Sequence, residues 1–279
     1  MLTVYINSAG AINGINVMMA LKKSELKIRF IAGDCDPLSA GLYVADSGYV
    51  VPRVNDPKFI PTVLDICRKE EVDVALPIYS ADFPVFADHI KDFEHEGIRT
   101  YALTKEAWEI CDSKFNVTKH LESIGISCPR TWTMERALMK RSSLPYPLFL
   151  KLNSSSGTKN VKILKTSHDL EYHASPEFIV QDFINGEEFT IDVLSDLKGR
   201  MMAASPRKRL KIYGGLSVCG VTIEDDEIVR LTKRIVESLK LPGPSNVQCK
   251  RDDEGILRFY DINPRFASGG LPLAVAAGL

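Results

Sequence analysis

Two stretches near the C-terminus carry the side chains best suited to chemistry. They are Ser245-Asn246-Val247-Gln248-Cys249-Lys250 and Leu257-Arg258-Phe259-Tyr260-Asp261-Ile262-Asn263-Pro264-Arg265. Asp252-Asp253-Glu254-Gly255 joins them, and these turn-forming residues make the pair read as a hairpin. Residues two apart on a strand share a face, so Asp261 and Asn263 point the same way. With Arg251 paired to Ile256, Gln248 lies opposite Phe259 and diagonal to Asp261 on that face. Oxygen donors that include a single carboxylate suit a Mg²⁺ ion that keeps its waters and is shared with nucleotide phosphates. Arg265, just beyond Asn263, continues along the pocket wall, where its guanidinium can meet charge on a transferring phosphoryl group. The competing picture is a surface hairpin with a solvated polar face; Pro264 and the two-residue spacing favour the metal site.

Two further segments fit that chemistry. Phe149-Leu150-Lys151-Leu152-Asn153 places a lysine inside an apolar strand, which is costly unless an anion meets it. Ser154, Ser155, Ser156 and Gly157 follow directly and form a hairpin whose N–H and hydroxyl groups can cover phosphates. In Ile179-Val180-Gln181-Asp182-Phe183-Ile184-Asn185-Gly186-Glu187-Glu188, an apolar strand ends in a glycine turn. Its main chain can present N–H and C=O to an adenine edge, and Glu188 can accept from ribose hydroxyls. Taken singly, each segment also reads as an ordinary polar turn.

Other chemistries lack their residues. The 35 basic and 36 acidic residues give a net charge of −1, too little to hold a phosphate polymer through counterion release. Nucleic acid is not an expected partner. The six cysteines are scattered without a CxxC pair and read as reduced thiols; the five histidines lack HExxH spacing, and no GxSxG elbow occurs. No apolar run is long enough for a membrane span, and the start lacks a basic region followed by an apolar one, so a cytoplasmic protein is expected.

The elements that must position these residues divide into two styles. Up to about residue 110, apolar strands at 2–6, 27–32, 49–51, 72–78 and 98–103 alternate with helical spacing at 59–69 and 83–93. This pattern is α/β, a doubly wound half with a parallel sheet. From 112 onward a helix at 114–124 precedes candidate strands at 148–152, 161–164, 178–183, 189–194, 200–204, 218–222, 246–250 and 257–262. A long helix at 225–239 interrupts them, and the whole half reads as α+β. Residues 140–147, rich in serine and proline, are expected to be a flexible connection between lobes. The first strand enters Asn7-Ser8-Ala9-Gly10-Ala11-Ile12-Asn13-Gly14, and Asp34 and Asp36 end the second. A dinucleotide site uses such features, yet GxGxxG spacing is missing.

Taken in chain order, several of these features resemble the ATP-grasp superfamily: Lys114, Lys151 with its serine-glycine loop, Gln181 to Ile184 with Glu188, Gln248, and Asp261 to Arg265. The branch most similar is that of the carbamoyl phosphate synthase large subunit. The resemblance implies a pre-ATP-grasp α/β domain over 1–111 and an ATP-grasp domain over 112–279, with lobes at about 112–182 and 183–279. By the same resemblance, Lys114 and Lys151 contact ATP phosphates, and Ser154, Ser155, Ser156 and Gly157 close over them. Gln181, Asp182, Phe183 and Ile184 hold adenine, and Glu188 holds ribose. Gln248, Asp261 and Asn263 ligate Mg²⁺ or Mn²⁺, while Arg265, with Lys151, serves phosphoryl transfer. The basic run Arg207-Lys208-Arg209-Leu210-Lys211 falls where the family places further phosphate or substrate contacts; a solvated basic turn is its alternative. Residues 7–16 and 79–82 are placed to shape the acceptor pocket.

The implied activity is an ADP-forming ligase that makes an acyl phosphate from a small carboxylate and passes it to an amine, thiol or other nucleophile. A homodimer is the expected assembly. Two alternatives stay open, a bicarbonate-phosphorylating subunit and an ATP-binding protein without turnover. The chain departs from the family pattern at Asp261 and Gln181, where glutamate is usual. It also ends at Leu279, where relatives continue through another helix and strand, so a shortened form is expected.

Overall fold

Short runs of β-branched and aromatic residues build the first sheet in the computed structural model, which describes residues 1–154, 160–214 and 216–279. Its strands are β1 (Leu2–Ile6), β2 (Ile28–Asp34), β3 (Ser47–Val50) and β4 (Val74–Leu76), all parallel in the order β3-β2-β1-β4. The helices between and after them are α1 (Ile12–Leu21), α2 (Gly41–Val44), α3 (Phe59–Lys69), α4 (Asp82–Asp88) and α5 (Ile90–His95). Tyr5 and Ile31 pack with Phe59 and Val63 on one side of the sheet, and Val4 and Ile6 pack with Val17 and Met18 on the other. Apolar side chains on both faces are what a doubly wound sheet requires.

Two expectations for this half are corrected. Residues 98–103 form no strand; they touch the sheet through one bridge, Val74 to Arg99. Thr104 follows immediately and caps α6 (Lys105–Asp112) by accepting from the Ala107 N–H, so the chain has to leave the sheet there. The helix expected at 83–93 is broken at His89, whose backbone leaves helical geometry (φ −113°, ψ 16°). The break lets Phe86 and Phe93 stack with ring centroids 5.0 Å apart.

The second half contains two antiparallel sheets. The first comprises β5 (Thr131–Thr133), β6 (Leu148–Leu152), β7 (Lys162–Leu164) and β8 (Phe178–Asp182), ordered β5-β8-β6-β7. It follows α7 (Lys114–Ser123) and carries α8 (Met134–Met139) and α9 (Ser167–Tyr172). Residues 140–147 connect α8 to β6 within this sheet rather than joining lobes, and Leu144 packs into its core with Met134 and Leu148. The larger sheet comprises β9 (Glu187–Ser195), β10 (Met201–Tyr213), β11 (Leu216–Thr222), β12 (Gly243–Arg251) and β13 (Leu257–Asn263), in the order β11-β10-β9-β12-β13. Strand β10 runs well past the expected residue 204 because it pairs with β9 on one side and β11 on the other. The basic run 207–211 therefore lies on a strand, and its reading as a solvated turn is set aside; Arg207 is 3% exposed.

Helices α10 (Asp226–Ser238) and α7 cover the back of the large sheet. Ile191, Val247, Phe259 and Ile262 meet Leu121, Ile228 and Ile235 there, while α11 (Leu271–Ala276) packs against α1. The front face is polar because the strands alternate. Glu188, Thr190 and Asp192 face forward from β9, and Ile191 and Val193 face back. Phe259 is completely buried in this core, so Phe259→Ala is expected to lower unfolding stability by about 3–5 kcal/mol, measured by urea denaturation.

Candidate functional site

The hairpin of β12 and β13 forms as the turn residues require, but its register differs from the sequence expectation. Arg251 pairs with Leu257, Cys249 with Phe259 and Gln248 with Asp261, with a register shift between Gln248 and Cys249. Tyr260 is the extra residue of a β-bulge. In an uninterrupted strand Phe259 and Asp261 would share a face. The bulge instead sends Phe259 into the core and leaves both Tyr260 and Asp261 on the cavity side. Gln248 thus stands directly opposite Asp261, and Asn246 stands opposite Asn263.

Asp261, Asn263 and Gln248 line one cavity between the two antiparallel sheets. The Asn263 Nδ2 donates to Asp261 Oδ2 at 2.9 Å, which fixes both side chains side by side. The donor set is all oxygen with one carboxylate, which fits a hard cation that keeps waters and shares phosphate oxygens. Among the described residues there is no cluster of three or more His, Cys, Asp or Glu suited to a metal.

The facing wall comes from the smaller sheet and from the start of α7. Ser113 caps α7, Asn153 Oδ1 accepts from Ser113 Oγ and the Phe115 N–H, and the Lys114 N–H donates to the Asn153 carbonyl at 2.9 Å. These bonds tie the end of β6 to the helix start and bring Lys114 and Lys151 to the same cavity. The Lys151 ammonium lies 5.3 Å from the centre of the Tyr260 ring. Burial pulls the Lys151 ammonium down to about 8, against the opposing attraction of Asp261; Lys114 adds to the lowering and Glu188 opposes it. Ser154 turns aside and donates to Asp112 Oδ2 at 2.9 Å. Ser155, Ser156 and Gly157 lie outside the described residues.

Where β8 ends, Gln181, Asp182, Phe183 and Ile184 all border the cavity, but their side chains do different things. Gln181 Nε2 donates to Thr131 Oγ1 at 2.8 Å, which spends its amide nitrogen on the protein. Asp182 faces Arg130 in a two-pronged ion pair with contacts of 2.8 and 3.1 Å, so it offers the cavity only its main chain. The Ile184 carbonyl accepts from Lys250 Nζ at 3.1 Å. Glu188 pairs with the Arg209 guanidinium, which fixes its carboxylate at the cavity edge, where Tyr260 also lies.

Arg265 joins the two halves of the chain. Its Nε donates to Ser80 Oγ at 3.1 Å, its Nη1 to the Phe266 carbonyl at 3.2 Å and its Nη2 to Asn263 Oδ1 at 3.4 Å. Burial lowers its guanidinium, and Asp261 opposes that shift. Nearby, Asn16 Nδ2 donates to the Ser268 carbonyl at 2.7 Å. The parallel-sheet half thus meets the cavity through residues from the 7–16 and 79–82 segments. Asp82 anchors the second of these by accepting from the Ile78 and Tyr79 N–H groups, and burial pushes its carboxyl up. Tyr260, Lys250, Asn246 and Thr190 also line the cavity, and the sequence reading had given none of them a role. Thr190 and Asn246 were visible only as members of period-two runs with Glu188 and Gln248.

Residues 174–279 match a family model described as ATP-grasp in the biosynthetic pathway with Ter operon. The chain carries an ATP-grasp domain. Residues 4–101 match the PylC-like N-terminal domain, so the parallel sheet in front of the ATP-grasp domain has relatives of its own. The chain is homologous to the carbamoyl phosphate synthase large chain of Thermotoga neapolitana, 27% identical over 243 residues, which cover 80% of this chain and 22% of that one. It therefore spans less than a quarter of that relative's length.

Among solved structures, the fold matches the biotin carboxylase domain of Hydrogenobacter thermophilus 2-oxoglutarate carboxylase. That structure was determined with MgADP, ADP and bicarbonate. The TM-score is 0.74, at 15% identity, covering 99% of this chain and 70% of that one. The L-amino acid ligase of Bacillus licheniformis matches at TM-score 0.71 and 18% identity, with 97% of this chain and 68% of that one covered. These likenesses establish the ATP-grasp fold. No helix among the described residues is long and apolar enough to cross a membrane.

Proposed function

We propose that this ATP-grasp protein is an ADP-forming ligase that activates a small carboxylate with ATP and transfers the acyl group to an amine or another nucleophile. The observation that carries the reading is the convergence of Gln248, Asp261 and Asn263 with Lys151 and Arg265 on one cavity. Lys114 and Lys151 bind the phosphates of ATP, and the main chain from Asp182 to Ile184 faces the base. Asp261, Asn263 and Gln248 hold Mg²⁺, whose chemistry when bound is to neutralise and orient the phosphates. Arg265 stands past the metal donors, where charge builds on the transferring phosphoryl group. An acceptor carboxylate oxygen attacks the γ-phosphorus, the bond to the β–γ bridging oxygen breaks, and ADP leaves with that electron pair. The nucleophile then displaces phosphate from the acyl phosphate. Phosphoryl transfer needs positioning and charge neutralisation more than acid–base groups, which agrees with a cavity lined by lysines, arginines and amides.

The division at residues 111 and 112 belongs to the same proposal, with residues 1–111 shaping the acceptor side through Ser80 and Asn16. The names of the carbamoyl phosphate synthase relative and of the bicarbonate-bound carboxylase domain favour bicarbonate as a second acceptor to include. The test is a screen of amino acids and small carboxylates in pairs, with bicarbonate, following ADP and product mass. ADP released together with a condensed product is the expected result. Tight ATP binding without ADP from any pair would instead make the protein a binder and overturn the ligase reading.

A further inference from the structure

Two buried threonines stand behind Gln181. Thr131 pairs directly with Gln181 across β5 and β8, and Thr118 reaches the same point from α7. The Thr118 hydroxyl donates to the Lys114 carbonyl at 3.0 Å, and the Thr131 hydroxyl donates to the Pro129 carbonyl at 3.0 Å. A hydroxyl has one proton, so both oxygens have only lone pairs left to offer. They lie 3.1 Å apart, and Gln181 Nε2 donates to Thr131 at 2.8 Å and toward Thr118 at 3.4 Å. Turning the amide over would set Oε1 against those lone pairs, or take a proton from one of the carbonyls. The side chain is locked in one sense.

The other end of the amide is open. Gln181 Oε1 accepts no hydrogen bond from the described residues, yet it is not among the atoms sealed inside the protein, and Gln181 borders the cavity beside Phe149. An oxygen that cannot exchange places with its nitrogen is an acceptor only. It sits where the main chain from Asp182 to Ile184 begins, the segment that faces the base in the ligase reading. An amino group on the base donates to that oxygen, whereas an oxo group meets it lone pair to lone pair. We infer that Thr131 and Thr118 are positioning residues which, by locking the Gln181 amide, make the site choose a 6-amino over a 6-oxo purine nucleotide. The inference rests on the nucleotide site of the ligase reading and adds the origin of its base selectivity.

The experiment measures ADP and inosine 5′-diphosphate, each with Mg²⁺, on the full chain by calorimetry, with thermal unfolding as the check on folding. The wild type favours ADP by about 10- to 100-fold, to which the main chain also contributes. Thr131→Val keeps the shape of the side chain without its hydroxyl, frees the amide to turn, and narrows that preference by about 5- to 10-fold. Thr131→Ser restores the acceptor and keeps the preference within about twofold of the wild type. Thr118→Val narrows it in the same direction, and reads the same lock should Thr131→Val not fold. In a Gln181→Leu background, Thr131→Val has no further effect on the preference. A merely structural threonine would weaken both nucleotides together and leave their ratio alone. The inference is overturned if the ratio is unchanged in the folded valine variants, if Thr131→Val narrows it equally without Gln181, or if the wild type binds both nucleotides alike. A wild type that binds neither nucleotide would be a different result, and it would remove the ligase reading and the role of the lock with it.

Discussion

Replacing Asp261 by asparagine is expected to cut ADP formation by about 10³-fold or more and to abolish the Mg²⁺ dependence of nucleotide affinity, with the fold intact. Asp261 is the carboxylate among the three proposed metal donors, and the change keeps its size while removing its charge. The bulge at Tyr260 places this side chain directly opposite Gln248, so the geometry survives the substitution. A second effect follows from the same change. Asp261 supports the charged form of Lys151, so the variant's nucleotide-free protein holds Lys151 less protonated than the wild type does. Calorimetric titration of ADP with and without Mg²⁺ reads both consequences. Turnover retained at the wild-type level would contradict the metal role.

Lys151→Met is expected to weaken ADP by about 10- to 100-fold near neutral pH, the worth of a charge-assisted contact to phosphate. The wild type carries a pH signature of the same residue. Burial holds Lys151 at about 8 in the nucleotide-free protein, and phosphates need its protonated form. Binding above that pH must therefore take up a proton, so ADP affinity falls as pH rises through about 8, by at most about tenfold per unit. Arginine stays charged throughout this range, so Lys151→Arg flattens the profile.

Stability runs the opposite way. The folded, nucleotide-free state disfavours the cation, so the cost of burying it is fully present below about pH 8 and fades as pH rises toward the unfolded value near 10.4. Lys151→Met consequently raises unfolding stability at neutral pH by about 3 kcal/mol, seen as a higher denaturation midpoint without nucleotide. A residue whose removal strengthens the fold while weakening the ligand is strained for binding.

Much of the molecule was legible because local patterns were strong. Strands β1 and β6, helix α3 and the start of α7 lie at the residues expected, since their apolar periods were clean. The pairing of Asp261 with Asn263 was legible for the same reason. Residues 98–103 misled because Ile98, Tyr101 and Leu103 are buried by packing against two different cores, which gives the apolar content of a strand without its ladder. The basic run 207–211 left two readings open, a phosphate or substrate contact and a solvated turn, and its spacing could not choose between them. Charged residues suggest solvent, yet Arg207 and Arg209 are neutralised by Asp192 and Glu188 across one strand pair.

The sequence by itself determined which side chains are the candidates for a metal and phosphates, because residue type and period-two spacing are local properties that a strand preserves. Only the tertiary structure decided how they meet. The bulge at Tyr260 moved Asp261 opposite Gln248, and Ser80 from the parallel sheet took hold of Arg265. Those outcomes depend on the packing of Phe259 into the core and of one half of the chain against the other, and such long-range contacts have no signature in the spacing of neighbouring residues.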